Sequence, residues 1–357
     1  MGLPQLVVKF LKKSATLITR SGRGLVVLIL KDSTKEQVMN PYKGLDEVST
    51  DDWDEKNYEY IKMVFKAEPS KVLVVRGKVA DEALDVPGTL QLIKDINADY
   101  LVSPCFKAED GEAVKSFVKK VRDAGKKLKA VLPAYDADYE AIINFPHEKV
   151  GVVWDEGEMT TYTGAEYCCR IAGILAAVSL TQSSTYQELP EIVDIDLFED
   201  PDAESDKGKL VVIFDGEKYK IGRGVTSLQT VSEEHPADFM KIKLLEGADL
   251  IRYDIRSTFE EEFVGKLNNT YDNKQQLIGA IMQYLKGMEG TVVDAESEYY
   301  VELDTAAILE HLKEDGVDTD DLTEQQIKEA NTGSVIYLGG AVKLLDAVED
   351  LKLTMRL

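Results

Sequence analysis

The chain is 357 residues long, 44% hydrophobic and 30% charged, with a formal net charge of −23. That length exceeds what one core ordinarily serves, so two domains with appendages are expected. No run approaches the roughly eighteen apolar residues of a membrane helix, and the acid excess excludes nucleic-acid binding through neutralised phosphates.

The charge is unevenly distributed. Residues 1–31 carry Lys9, Lys12, Lys13, Arg20, Arg23 and Lys31 with no Asp or Glu, which places +6 on the start and −29 on the remainder. The first apolar run, Leu6, Val7 and Val8, is broken at once by Lys9 and is too short for a signal-peptide core, so the chain is expected to be made in the cytoplasm of its producing cell. Leu6, Val8 and Phe10 alternate, and Leu17 and Ile18 lie in a second β-like run, predicting an extended arm over 1–23. Gly22 and Gly24 precede the next strand. A phosphate loop needs its glycines after a strand and before a helix, so these two read as a hinge.

An α/β domain is predicted over 24–185. Strands are expected at 24–30, 71–76, 100–103, 128–132 and 150–154, with helices at 50–66, 89–96, 111–124 and 163–180. Strands separated by helices of this length imply right-handed crossovers and a doubly wound, mostly parallel sheet. Cys168 and Cys169 fall in the last helix and, with Cys105, read as small buried residues rather than a disulfide or metal set. The carboxyl ends of such strands are where an enzyme would place its chemistry. Arg76-Gly77-Lys78 lacks the phosphate-loop glycines, Asp136 and Asp155 fit surface loops of an acidic protein, and His147, His235 and His311 lie in no nucleophile or zinc signature. No cofactor or metal is called for.

Residues 186–234 read as a β-rich connection. The acidic run from Glu199 to Asp206 resembles a calcium loop only superficially. Begun at Asp200, its sixth position is Ser205 and its twelfth Val211, so a solvated turn is expected. A hairpin is predicted from 209–214 and 218–221 around Asp215-Gly216. A C-terminal α+β domain spans 235–340. Leu244, Ala248, Ile251, Ile255 and Phe259 recur at helical steps, with Gly265 as a stop. A second helix has Asp272 and Gln275 as its N-terminal pairing and Leu277, Ile278, Ile281, Leu285 and Met288 on one face. Shorter helices are expected at 305–313 and 323–329, then a strand at 334–338 and a flexible joint at Gly339 and Gly340. In the last arm, 341–357, Leu351, Leu353, Met355 and Leu357 alternate with Lys352, Thr354 and Arg356. Such a strand either folds back or belongs in another chain's sheet.

Three stretches carry a family resemblance: MGLPQLVVKF, ITRSGRGLVVLILKD and DIRSTFEEEFVGKLNNTYDNKQQLIGAIMQYLKG. Together they are similar to the sheath proteins of contractile phage tails, of the compact type found in Gram-positive phages and in diffocin-like phage tail-like bacteriocins. The resemblance implies hexameric rings stacked helically around an inner tail tube, with the C-terminal domain nearest the tube and with baseplate and tail terminator proteins as further partners. It also implies arms that complete a β-sheet on neighbouring subunits. Leu6, Val8, Phe10, Leu17, Ile18, Leu351, Leu353, Met355 and Leu357 would be the arm-strand residues, and Gly22, Gly24, Gly339 and Gly340 the arm hinges. The polar face of the second C-terminal helix, Lys274, Gln275, Gln283 and Lys286, would face the tube. Burying four such side chains yields roughly 1.5–3 kcal/mol each, and ordering seven residues costs about 1–2 kcal/mol each. One arm therefore binds weakly, and many held together bind firmly. The particle would be assembled in the cytoplasm, released, and contract without nucleotide. A related contractile injection or secretion system fits the same physics, and an α/β enzyme with an unread site is the alternative from another class.

Overall fold

The computed structural model describes residues 18, 20–154 and 157–355. They form two compact units. The larger comprises residues 22–253 and 344–355; the smaller comprises 254–343 with residues 18, 20 and 21. The division falls within one helix, beyond the boundary expected at 235, and the strap after Lys343 returns to the larger unit.

In the larger unit, β1 (Leu25–Leu30) and β2 (Met39–Tyr42) precede helix α1 (Glu55–Phe65) and β3 (Lys71–Arg76). A small hairpin of β4 (Val79–Ala80) and β5 (Ala83–Leu84) leads to α2 (Val86–Ile93), β6 (Tyr100–Val102), α3 (Gly111–Asp123), β7 (Lys129–Pro133) and β8 (Ile142–Phe145). The main sheet has the order β2-β3-β1-β6-β7-β8. All its pairings are parallel except the edge pairing of β2 with β3. Its faces explain the continuous apolar runs. Val26, Leu28 and Leu30 pack with α1 and a later helix on one side; Val27 and Ile29 pack with α2 and α3 on the other.

One expected strand belongs elsewhere. β9 (Lys149–Val152) pairs antiparallel with β10 (Thr160–Thr163) and β11 (Ile192–Ile195) in a separate three-stranded sheet. The sixth strand of the main sheet is β8, whose apolar run Ile142, Ile143 and Phe145 ends before Pro146. Helix α4 (Gly164–Ala177) covers the main sheet and opens with a capping box between Thr163 and Glu166. It carries Cys168 and Cys169 in the core. The acidic run is a short helix, α5 (Pro201–Asp206), capped by Asp200, rather than a turn. The predicted hairpin is present as β12 (Val212–Phe214) and β13 (Tyr219–Ile221).

Helix α6 (Ile242–Thr258) continues into a π-helical turn over Phe259–Phe263, and Gly265 ends it with φ +70°. The smaller unit then contains α7 (Tyr271–Lys286), β14 (Tyr300–Leu303), α8 (Thr305–Glu314), α9 (Glu324–Glu329) and β15 (Leu338–Ala341). Thr270, not Asp272, caps α7, accepting from the Asn273 amide. Thr323 and Gln326 form the expected capping box of α9. Leu303, Ile308, Leu312 and Ile327 make its small core, with Tyr271, Ile278 and Leu338 packed against them.

Candidate assembly surfaces

The carboxyl ends of β1 and β3 are closed by side chains of the chain itself. Asp32 Oδ1 accepts from Arg76 Nε at 3.0 Å, and the guanidinium lies 3.8 Å from the centre of the Trp53 ring. Asn57 and Thr34 complete the shell of Asp32. Burial works to raise this carboxyl, but hydrogen bonds from Thr34, Asn57 and Arg76 hold it well below the usual range. Arg76, considered from the sequence as part of a ligand loop, is an ion-pair partner. Of the two candidate carboxylates, Asp136 accepts from the Asn144 amide, and Asp155 lies outside the described residues. His147 is buried, with Nδ1 at 2.8 Å from the Asp196 carbonyl and Nε2 accepting from the Val212 amide at 2.8 Å. It joins two backbone segments.

The amino ends of β1, β6 and β7 hold a buried charge network around the root of the first arm. Lys129, fully buried at the start of β7, lies 3.0 Å from Glu246 and 3.2 Å from Asp249, both on α6. Arg122 bonds both oxygens of Asp249, at 2.7 and 2.8 Å. Arg23 reaches Glu246 at 2.6 Å and the Val178 carbonyl at 2.7 Å. Lys127 pairs with Asp99 and donates to the Gly22 carbonyl at 2.9 Å, while Asp99 Oδ2 accepts from the Gly24 and Leu25 amides. Burial raises the Glu246 carboxyl, but Lys129 and Arg23 overcome it and bring it down to about 2. Asp249 is lowered in the same way by Arg122 and Lys129.

This network bears unequally on the two glycines expected as a hinge: it encloses Gly24, while a Cβ on Gly22 would meet nothing within 4 Å. Gly24 has φ +89°, and a Cβ there would lie 2.9 Å from the Ala176 carbonyl oxygen, so the glycine serves a close approach. Leu6, Val8, Phe10 and Leu17 lie outside the described residues. Ile18 is buried, and the Ser21 amide donates to Asp254 in the smaller unit.

Among its described residues the strap after Lys343 forms no strand. Asp346 meets Lys241 at 2.5 Å, and Asp350 meets Arg223 at 2.9 Å. Between them Glu349, its side chain 8% exposed, accepts from Thr185 at 2.7 Å and Ser183 at 3.2 Å and faces Lys241 at 3.1 Å. The apolar side chains within and beyond this clamp point into solvent: Val348 is 96% exposed, Leu351 85%, Leu353 70% and Met355 79%. Leu357 lies outside the described residues.

In the smaller unit, Gly339 and Gly340, expected as a joint, lie within a strand. They sit in β15, with Gly340 opposite Val301 of β14, and a Cβ on Gly340 would lie 2.4 Å from the Tyr300 carbonyl oxygen. The strand expected at 334–338 begins only at Leu338. Among the described residues β14 and β15 form a two-stranded sheet. On α7, Gln275, Gln283 and Lys286 are exposed, but Lys274 is buried and donates to the Ala330 carbonyl at 3.0 Å. It therefore leaves the polar face, and burial lowers its pKa.

Comparison with known proteins gives consistent matches. Residues 82–227 match the phage tail sheath protein central domain, and residues 234–357 the phage tail sheath C-terminal domain. The tail sheath protein of Clostridium phage phiCD119 is 33% identical over 375 residues, covering 100% of this chain and 99% of that protein. The fold is similar to that of the sheath tail protein from Desulfitobacterium hafniense, with a TM-score of 0.65 and 16% identity over 84% of this chain and 94% of that one. It is also similar to the helical sheath of the anti-feeding prophage in its contracted state, with a TM-score of 0.68 and 13% identity over 100% of this chain and 99% of that one.

Proposed function

Because the chain belongs to the phage tail sheath protein family, we propose that it polymerises as stacked hexameric rings around an inner tail tube, in a phage tail or tail-like particle. Its arms add strands to the sheets of neighbouring copies. The observation that carries this reading is a pair of incomplete surfaces. Among the described residues the β14–β15 sheet has two strands, and a two-stranded sheet is marginal by itself. The strap meanwhile exposes Leu351, Leu353 and Met355 at alternate positions, which is the pattern of a strand seeking a face. A head-to-tail contact of this kind does not close on itself and builds helical polymers.

Contraction proceeds without nucleotide, as a transition from a kinetically trapped extended lattice to one with more subunit contacts, once the baseplate releases it. Of the arm glycines, Gly24 and Gly340 are held by close packing, so Gly22, where a Cβ would meet nothing within 4 Å, serves as the joint of the first arm. The smaller unit faces the tube through Gln275, Gln283 and Lys286, without Lys274. The tail terminator caps the polymer at its far end. Likeness to the anti-feeding prophage sheath over the full chain supports a second setting, a contractile injection system without a phage head, and neighbouring genes would separate the two.

Electron microscopy of the full chain, with and without co-expressed tube and baseplate proteins, tests this reading. Wide hollow tubes are expected from the full chain and none from versions lacking 1–20 or 351–357. Tubes from the truncated versions would overturn strand exchange.

A further inference from the structure

The strap presents a contradiction. A segment with four strongly exposed apolar side chains would ordinarily collapse onto its own subunit or leave the surface altogether. Here the polar contacts that hold its root come from three carboxylates, Asp346, Glu349 and Asp350, set against Lys241 and Arg223. The contacts are graded. Glu349 sits between both cations and two hydroxyls with its side chain 8% exposed, whereas Asp346 and Asp350 are 35% and 67% exposed. Glu349, Arg223 and Lys241 also line, together with Asp202 and Asp206, a cleft of about 600 Å³. The latched arrangement thus fixes a short length of chain by charge and aims the apolar stripe that follows it outward.

We propose that this cluster is an electrostatic latch that parks the C-terminal strap on its own subunit in a strand-donating posture, ready for a second copy. The inference rests on the strand-exchange reading given above and adds a device to it. Its physical logic is preorganisation. A free tail must lose its conformational freedom on joining a neighbour's sheet, whereas a tail pinned at Glu349 has lost part of it already. Glu349 provides the pin, and the outer pairs set direction. Exposed pairs of this kind weaken as salt is raised, while the enclosed one is screened much less. Tail presentation is therefore tuned by ionic strength without the strap being lost.

The test uses the full chain with a nitroxide at Val348→Cys and Cys105→Ala. The native Cys168 and Cys169 are buried and stay unlabelled. In the unassembled protein the label is expected to be slow, to become fast in Arg223→Glu, and to return to slow in Arg223→Glu with Asp350→Arg. High salt should loosen the parent and leave Glu349→Gln loose at every salt concentration. In parallel, Arg223→Glu should raise the protein concentration needed for tube formation about tenfold, with the swapped pair restoring it. A label equally mobile in parent and Arg223→Glu, or a swap that restores neither readout, would overturn the latch. Tubes forming at lower concentration in Arg223→Glu would also overturn it, because the strap would then be restrained rather than prepared. Failure of the latch is separable from failure of strand exchange, since only the latter predicts assembly without 351–357.

Discussion

The two ends of the chain join the larger unit through ion pairs, yet the two anchorages differ in kind. At the arm root, Lys127, Lys129, Glu246 and Asp249 have side chains 0–5% exposed. At the strap only Glu349 is enclosed, and its cations Arg223 and Lys241 are 41% and 34% exposed. Buried charges make each partner indispensable to the others, because removing one leaves an uncompensated charge in a medium that solvates it poorly. Exposed pairs contribute little to stability and are screened by salt. The first arm is therefore fixed where it leaves the body, and the second is held reversibly. A polymer that shortens while its subunits stay linked has use for one of each.

The largest effect that could break this contrast comes from Lys129→Met. It removes the buried cation that Glu246 and Asp249 share, leaving them to Arg23 and Arg122, and urea unfolding should show a loss of about 3–5 kcal/mol. A loss as small as that from Arg223→Gln, expected below about 1 kcal/mol, would erase the distinction between the two anchorages. Next in size is the acid response. Glu246 is held at about 2 in the folded chain against an ordinary 4.5, so its contribution is complete above about 4.5 and disappears as the pH falls toward 2. Unfolding free energies measured between pH 6 and pH 2.5 should fall by roughly 3 kcal/mol from this group alone. In Lys129→Met that part of the slope should shrink. The smallest effect sharpens the account of the root. Gly24→Ala should cost about 1–3 kcal/mol, because φ +89° and the Ala176 carbonyl both oppose a side chain. Gly22→Ala meets nothing within 4 Å and should change stability by less than about 0.5 kcal/mol in the same denaturation experiment.

Much of this architecture was legible in the residues. Continuous apolar runs such as 24–30, separated by helical stretches, announced a doubly wound sheet, because strands covered on both faces have no polar alternation to disguise them. The hairpin at Asp215-Gly216 and the capping box at Thr323 and Gln326 were legible for an equally local reason. The assignment of β9 to the main sheet failed because an apolar run records burial and not which neighbour buries it. Ile142, Ile143 and Phe145 carried the same signal and supplied the true edge strand. Lys274 was misplaced because helical spacing assigns a face, whereas a long side chain can fold its ammonium back to a carbonyl such as that of Ala330. Gly24 and Gly340, expected among the hinges, show a similar ambiguity: the residue type records freedom from a Cβ, which a tight packing contact demands as much as a flexible joint does.

The sequence by itself therefore determined what depends on near neighbours along the chain: the α/β alternation, the family resemblance, the basic start on an acidic body and the alternating stripe at 351–357. Tertiary structure decided what depends on residues far apart. Lys129 meets Glu246 and Asp249 more than a hundred positions away, and Arg223 meets Asp350 across a comparable separation. Charge pairing leaves no periodic trace in a sequence because any cation can serve any carboxylate. Only the fold, by burying the first set and leaving both cations of the second at the surface, made the first a fixed root and the second a latch.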